Sequence, residues 1–264
     1  MSFEPRVGCT VSTDGRVMFD LPLAAAAGQQ LVLGLRAAKG RPERAHHVLA
    51  LEAAEEGRVR AVLGTQPVLE EGRWDVFLLR DSHRQRLRPG LRDLRALLDS
   101  DRERPMPLAI RIPYVTKDGR LAIRAWLRSA HAEAGHFEVT DSSLTVSARL
   151  YGASLLPGAA VRLRRRGSDT LHAVEARTEA DGRAFSFTVG FADLAAATGA
   201  DGGVWDVFVQ PAPNAPLVRV ARLLDDVADR KEVFVYPSVP FESAELRPYY
   251  TVDNDLSVDV RRIG

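Results

Sequence analysis

Gly72–Arg80 reads GRWDVFLLR and Gly203–Gln210 reads GVWDVFVQ, and the WDVF that they share decides how the chain is laid out. Trp74 and Trp205 lie 131 positions apart in a chain that holds 3 tryptophans. In a strand, successive side chains point to opposite faces, so Trp74, Val76 and Leu78 share one face and Asp75, Phe77 and Leu79 the other. One face must be the core. A tryptophan at the same place in two strands reads as the large residue that fills the space between two sheets, in preference to a ring on which a sugar stacks.

Self-similarity extends past the tryptophans. PYVTKDGRLAI (Pro113 to Ile123) answers PYYTVDNDLSV (Pro248 to Val258) with Pro, Tyr, Thr, Asp and Leu in register at an offset of 135. LGLR (Leu33 to Arg36) answers VRLR (Val161 to Arg164) at 128, and EEGRVRAVL answers ADGRAFSFTV at about 125. A slowly drifting offset with preserved order is the mark of a tandem duplication with insertions gathered in loops. The join is placed in RSAHAEAGH, Arg128 to His136, because it is polar and rich in small residues. Two domains are expected, 1–128 and 129–264.

Within each copy, short runs alternate between apolar and polar residues. LTVSARLYG (Leu144 to Gly152), AVRLRRRG (Ala160 to Gly167), AFSFTVGF (Ala184 to Phe191) and LSVDVRR (Leu256 to Arg262) are examples, and LVLGLR, RVRAVL and LAIRAWL are first-copy partners. DGR recurs at Asp14, Asp118 and Asp181, where Asp and Gly suit a turn. Six or seven such strands per copy predict an all-β chain of two tandem immunoglobulin-like β-sandwich domains related by internal duplication. Two helical stretches are expected between strands: Gly90 to Ser100, with Leu91, Leu94, Leu97 and Leu98 at helical spacing, and Phe191 to Gly199. The second-copy counterpart of the first, LVRVARLLDDVADR, reads equally well as strand then loop.

Thirty-six basic and 35 acidic side chains leave a net charge of +1, so no global field draws the chain to nucleic acid or membrane. Any polyanion would need a local patch. The one cysteine, Cys9, cannot pair within the chain, which favours a reducing cytoplasm, with the inner membrane face as the alternative location. The opening MSFEPRVGCTVSTDGR lacks the pattern of a signal peptide, and no run of about 20 apolar residues predicts a membrane span. Thirty-three of the basic residues are arginine, a bias of GC-rich coding.

No nucleophile elbow, phosphate loop or zinc signature occurs, so neither a catalytic set nor a metal or other cofactor is expected. His46, His47, His83, His131 and His136 are scattered and read as solvated side chains. DNDLSVD, Asp253 to Asp259, lacks the glycine and closing glutamate of a calcium loop and reads as a turn.

Arginines are the informative residues. Arg80, Arg84, Arg86, Arg88, Arg92, Arg95, Arg102 and Arg104 crowd one segment, and Arg162, Arg164 and Arg166 share one face of a strand. Guanidinium forks fit phosphate and carboxylate, so these could hold a phosphorylated or acidic polymer. A solvated sheet edge guarded against aggregation is the other reading, and Asp81, Asp93, Asp99, Asp101 and Glu103 partly neutralise the first cluster. Nucleic acid is not expected, because no aromatic residues are interleaved to stack on bases. Tyr114, Tyr249 and Tyr250, each expected to open a strand just after a proline, are candidates either for a sugar platform at the sandwich rim or for packing over the sheet end.

DGRAFSFTVGFADL, then GGVWDVFV, RVARL and PYYTVDNDLSVDV, resembles the β-sandwich modules attached to bacterial glycosyltransferases and glycerophosphotransferases that build teichoic-acid-like cell-wall polymers. The nucleotide-sugar motif of those enzymes' catalytic domain does not occur here. The resemblance implies a non-catalytic accessory role in cell-envelope polysaccharide assembly, with an anionic glycopolymer or a glycosyltransferase as partner. The polymer would meet Arg84, Arg86, Arg88, Arg162, Arg164, Arg166, Tyr114, Tyr249 and Tyr250. Two alternatives stay open: a structural module that forms homo-oligomers without carbohydrate affinity, and a transferase with a site between the domains.

Overall fold

The computed structural model describes residues 5–37, 46–55, 57–98 and 105–263. The chain is all-β and divides into two compact units, Met1–Arg128 with Leu224–Ala228, and Ser129–Leu223 with Asp229–Gly264. Arg102, Arg104, Asp99, Asp101, Glu103 and the predicted helix end at Ser100 lie outside the described residues.

The first unit contains β1 (Arg6–Val11), β2 (Val17–Leu21), β3 (Gln30–Leu35), β4 (His46–Ala50), β5 (Glu52–Ala53), β6 (Val59–Leu63), β7 (Gly72–Arg80), β8 (His83–Arg86), β9 (Arg88–Asp93), β10 (Leu108–Val115) and β11 (Leu121–Arg128). They form two sheets, β5-β6-β2-β1-β9 and β10-β11-β7-β3-β4, with β8 also paired to β7. Alternation drives each strand into place. In β2, Val17, Phe19 and Leu21 are buried while Met18 and Asp20 are not, and β6 repeats the pattern with Val59, Ala61 and Leu63. Cys9 is buried in β1, and burial pushes its thiol up to about 12 despite the nearby Arg92.

The second unit contains β12 (His131–Val139), β13 (Ser143–Tyr151), β14 (Ala160–Arg165), β15 (Leu171–Glu175), β16 (Arg177–Thr178), β17 (Ala184–Gly190), α1 (Phe191–Thr198), β18 (Gly203–Gln210), β19 (Val218–Ala221), α2 (Arg230–Val233), β20 (Val239–Phe241), β21 (Ala244–Tyr250) and β22 (Leu256–Arg262). One layer runs β16-β17-β13-β12-β19 and the other β20-β21-β22-β18-β14-β15, joined where β19 pairs with β18. The neighbour relations match those of the first unit: β6-β2-β1-β9 against β17-β13-β12-β19, and β11-β7-β3-β4 against β22-β18-β14-β15. A single core draws Leu144, Val146, Phe185 and Phe187 from one layer and Val161, Leu163, Trp205 and Val258 from the other, which makes a sandwich.

Both WDVF tryptophans point into the core and are fully buried. A buried indole N–H needs an acceptor. Trp74 Nε1 donates to the Glu70 carbonyl at 3.0 Å, and Trp205 Nε1 to Thr198 Oγ1 at 2.8 Å. Thr198 ends α1 and donates onward to the Leu194 carbonyl at 2.7 Å, so the second unit uses its helix to satisfy its tryptophan. Gly199, at φ +73°, closes α1 in the left-handed region, as expected for its C-terminus.

The recurrent Asp-Gly turns form as expected. Thr116 N donates to the Arg120 carbonyl and Gly119 N to Thr116; in the second unit Thr251 N donates to Asp255 and Asn254 N to Thr251. The same left-handed position is filled by Gly119 (φ +71°) in one turn and by Asn254 (φ +60°) in the other. That settles DNDLSVD as a turn entering β22.

Four expectations are corrected. The supposed linker Arg128 to His136 is mostly strand: β11 runs to Arg128 and β12 begins at His131. Its alanines are small because Ala132 and Ala134 occupy buried positions against Leu150 and Ala148, and His131, only 1% exposed, bonds Glu133 at 2.7 Å instead of facing water. The alignment of LGLR with VRLR shifts by two, because Leu35 lies opposite Trp74 and Arg165 opposite Trp205, an offset of 130. The helix expected from Gly90 is strand to Asp93 followed by one 3-10 turn, Arg95–Leu98; parallel pairing of β9 with β1 wins over leucine spacing and leaves Leu91 90% exposed. Its counterpart is strand then loop, β19. Finally, His47 is no solvated side chain: its ring stacks on Trp74 at 5.2 Å, and His172 meets Trp205 edge-on at 6.4 Å.

Candidate functional site

The outer residues of WDVF organise the arginines. In the second unit, Asp206 and Phe208 point away from the core, with β14 on one side; on the other, β22 lies beside Asp206 and β19 beside Phe208. Asp206 is nearly buried by its partners: Arg166 Nη2 donates at 2.5 Å and Nε at 3.3 Å, and Ser257 Oγ donates at 2.8 Å. Burial pushes the Asp206 carboxyl up, but the hydrogen bonds from Arg166 and Ser257 and the charges of Arg166 and Arg219 outweigh it and hold the group below its usual range. The same bond raises Arg166 above the ordinary guanidinium range.

Phe208 carries two guanidinium groups, Arg164 at 4.8 Å and Arg219 at 5.0 Å from the ring centroid. Arg219 also pairs with Asp255 at 3.2 Å. Arg162 donates to Gln210 Oε1 at 3.0 Å. Among the described residues, therefore, Arg162 and Arg164 rest on an amide and a ring, neutral partners that hold the side chains in place without cancelling their charge. Two residues along a strand advance about 6.8 Å, and their alternation puts both side chains in a row on one face. Arg166 continues the row, its backbone N–H bonded to the Val204 carbonyl, and its Nη1 reaches Tyr249 Oη at 3.5 Å. The structure thus brings Arg162, Arg164, Arg166 and Tyr249 together on one face.

The first unit repeats the theme with different pairing. Asp75 accepts from Arg73 (Nη2 at 2.9 Å) and Arg86 (Nη2 at 3.3 Å) and pairs with Arg36 at 3.3 Å, while Arg86 Nη1 reaches Asp118 at 2.5 Å. Hydrogen bonds from Thr116 and then Arg86 hold Asp118 well below the usual carboxylate range. Arg84 lies over the Phe77 ring at 4.2 Å. Arg88 is separated from this group, because it sits in β9, which pairs with β1 in the other sheet. Tyr114 lies across from Ala122, and Ala122 across from Asp75, the position that Tyr249 takes relative to Ser257 and Asp206.

Tyr250 is corrected. It is fully buried, adjacent to Tyr249 and therefore on the opposite face, with Phe137, Tyr236 and Arg230 around its ring. Burial pushes its hydroxyl well above the usual phenol range. It is a core residue and no part of a surface platform. The tyrosines also close strands instead of opening them: Tyr114 stands near the end of β10, and Tyr249 and Tyr250 end β21. Among the described residues no three His, Cys, Asp or Glu side chains converge as metal ligands, and no helix is long and apolar enough to cross a membrane.

No protein-family profile and no curated protein matches the chain. The chain is similar in structure to part of S. aureus TarS. The match has 18% identity and a TM-score of 0.41, covering 58% of this chain and 28% of that one. A second structure, S. aureus TarS 217-571, matches at 13% identity and a TM-score of 0.31, covering 70% of this chain and 55% of that one. The chain therefore spans about a quarter to a half of the lengths of the structures it matches.

Asp206 and Asp118 give a pH prediction with a definite sign. Each carboxyl is lower in the folded chain than the roughly 3.9 of an unfolded aspartate, so the stability it contributes is present above that value and lost as pH falls below it. Thermal melts should be level with respect to these groups from about pH 8 to pH 5 and should decline below about pH 4. A melting temperature unchanged down to about pH 3 would contradict the clamps as described.

Proposed function

We propose that the chain is a non-catalytic tandem pair of immunoglobulin-like β-sandwich domains, arisen by duplication, that binds an anionic glycopolymer in cell-envelope polysaccharide assembly. The observation that carries this reading is the row of Arg162 and Arg164, fixed by Gln210 and Phe208 and left with uncompensated charge among the described residues. A sheet guarded only against edge pairing has no need to order its charged side chains on neutral partners; a face that reads repeated phosphates or carboxylates does. Arg166 and Tyr249 extend the face, the tyrosine offering half-exposed ring surface beside the charge. The sequence resemblance to modules of teichoic-acid-type transferases supports the choice of polymer. Poly(glycerol phosphate) should bind saturably and more weakly as salt rises, whereas neutral dextran should not bind. A stable oligomer by light scattering with no polymer binding would favour the structural module instead.

A further inference from the structure

The first unit holds a cavity of about 280 Å³, lined by Thr65, Val68, Leu97, Met106, Ile110 and Arg111 together with Asp14 and neighbouring prolines. Most of this wall is hydrocarbon. Arg111 is the exception in kind: it belongs to β10, is only 6% exposed, and donates to the Gly64 carbonyl and to the Thr65 carbonyl at 2.9 Å. Among the described residues no carboxylate pairs with it. Asp14, the one acid in the wall, is taken up by Ser12 and Arg16. Two carbonyls satisfy donors but leave the charge of a buried cation uncancelled, and a guanidinium has five N–H donors to place. Burial alone lowers its pKa, with no opposing carboxylate.

We propose that this cavity binds a small organic carboxylate with an apolar body. The acid group would meet Arg111, whose planar fork matches two carboxylate oxygens, and the hydrocarbon would lie against Val68, Leu97 and Met106. The volume sits near the lower end of small-ligand pockets, roughly 300–1,000 Å³, which suits a single ring or a short branched chain. The site lies wholly in the first unit and is independent of the polymer-binding reading, so either can fail alone.

The test titrates the whole chain with phenylacetate and with its neutral amide, phenylacetamide, following backbone amide signals by NMR. Phenylacetate should shift the Thr65, Ile110 and Arg111 signals saturably, and phenylacetamide should bind at least tenfold more weakly. Because Arg111→Met could disturb the fold, Met106→Glu is the second variant: Met106 is 38% exposed, and a carboxylate there would occupy Arg111 from within. M106E should keep the native spectrum and lose phenylacetate binding at least tenfold. Equal binding of acid and amide, absence of saturable shifts, or undiminished binding by folded M106E would overturn the proposal.

Discussion

Replacing Trp205 with alanine is expected to destabilise the second unit by about 3–5 kcal/mol, the usual cost of emptying the space of a buried tryptophan. Trp205 is fully buried in a core that joins both layers, and its loss also removes the hydrogen bond that Thr198 Oγ1 accepts at the end of α1. The same change at Trp74 should act on the first unit with similar size, because that ring is equally buried and is stacked by His47. Urea unfolding followed by tryptophan fluorescence and circular dichroism measures both. The prediction separates the two readings of WDVF. A core tryptophan costs stability when truncated and leaves the outer face intact, so W205F should keep polymer binding near the parent value. A ligand-reading tryptophan would do the reverse, with binding lost and the unfolding midpoint unchanged.

Reversing two charges, Arg162→Glu with Arg164→Glu, is expected to weaken polyanion binding by about fivefold or more. An exposed ion pair contributes about 0.2–1 kcal/mol, and reversal replaces attraction with repulsion of similar size, so two reversals cost about 1–4 kcal/mol. Each tenfold in affinity is about 1.4 kcal/mol. Stability should change little, because the double variant gives up one hydrogen bond to Gln210 and one cation–π contact with Phe208, at a half-buried and an exposed site. R177E/R183E, two exposed arginines beside the other layer of the same unit, makes a charge-matched control.

The strands were legible because alternation is local: a reader of AFSFTVG needs only its own residues to place Phe185, Phe187 and Val189 inside. The inward tryptophans and the Asp-Gly turns were legible for the same reason. What was misread depends on partners far along the chain. Ala132 and Ala134 look like linker residues until β13 is laid beside them. Leu91 and Leu94 look helical until β1 pairs with β9. For the site, the row of Arg162, Arg164 and Arg166 could be read from period two, but its organisers could not. Asp206 and Phe208 join the row only through the β14–β18 register, which no local window contains. One signal was available: WDVF repeats its outward Asp and Phe as faithfully as its inward Trp and Val, and a purely structural strand has little need to repeat its outer face. Parity alone would also have separated Tyr249 from Tyr250, since adjacent strand residues cannot both face solvent on one sheet.

The central claim is that an ordered arginine row on the second unit holds an anionic polymer. Its most direct test is a binding titration with poly(glycerol phosphate) at low and physiological ionic strength, comparing the parent chain, R162E/R164E and R177E/R183E. The account predicts salt-sensitive saturation for the parent and the control, with a loss of about fivefold or more for R162E/R164E at unchanged melting temperature. Equal affinity for all three proteins, or no saturable binding by the parent chain, would contradict it.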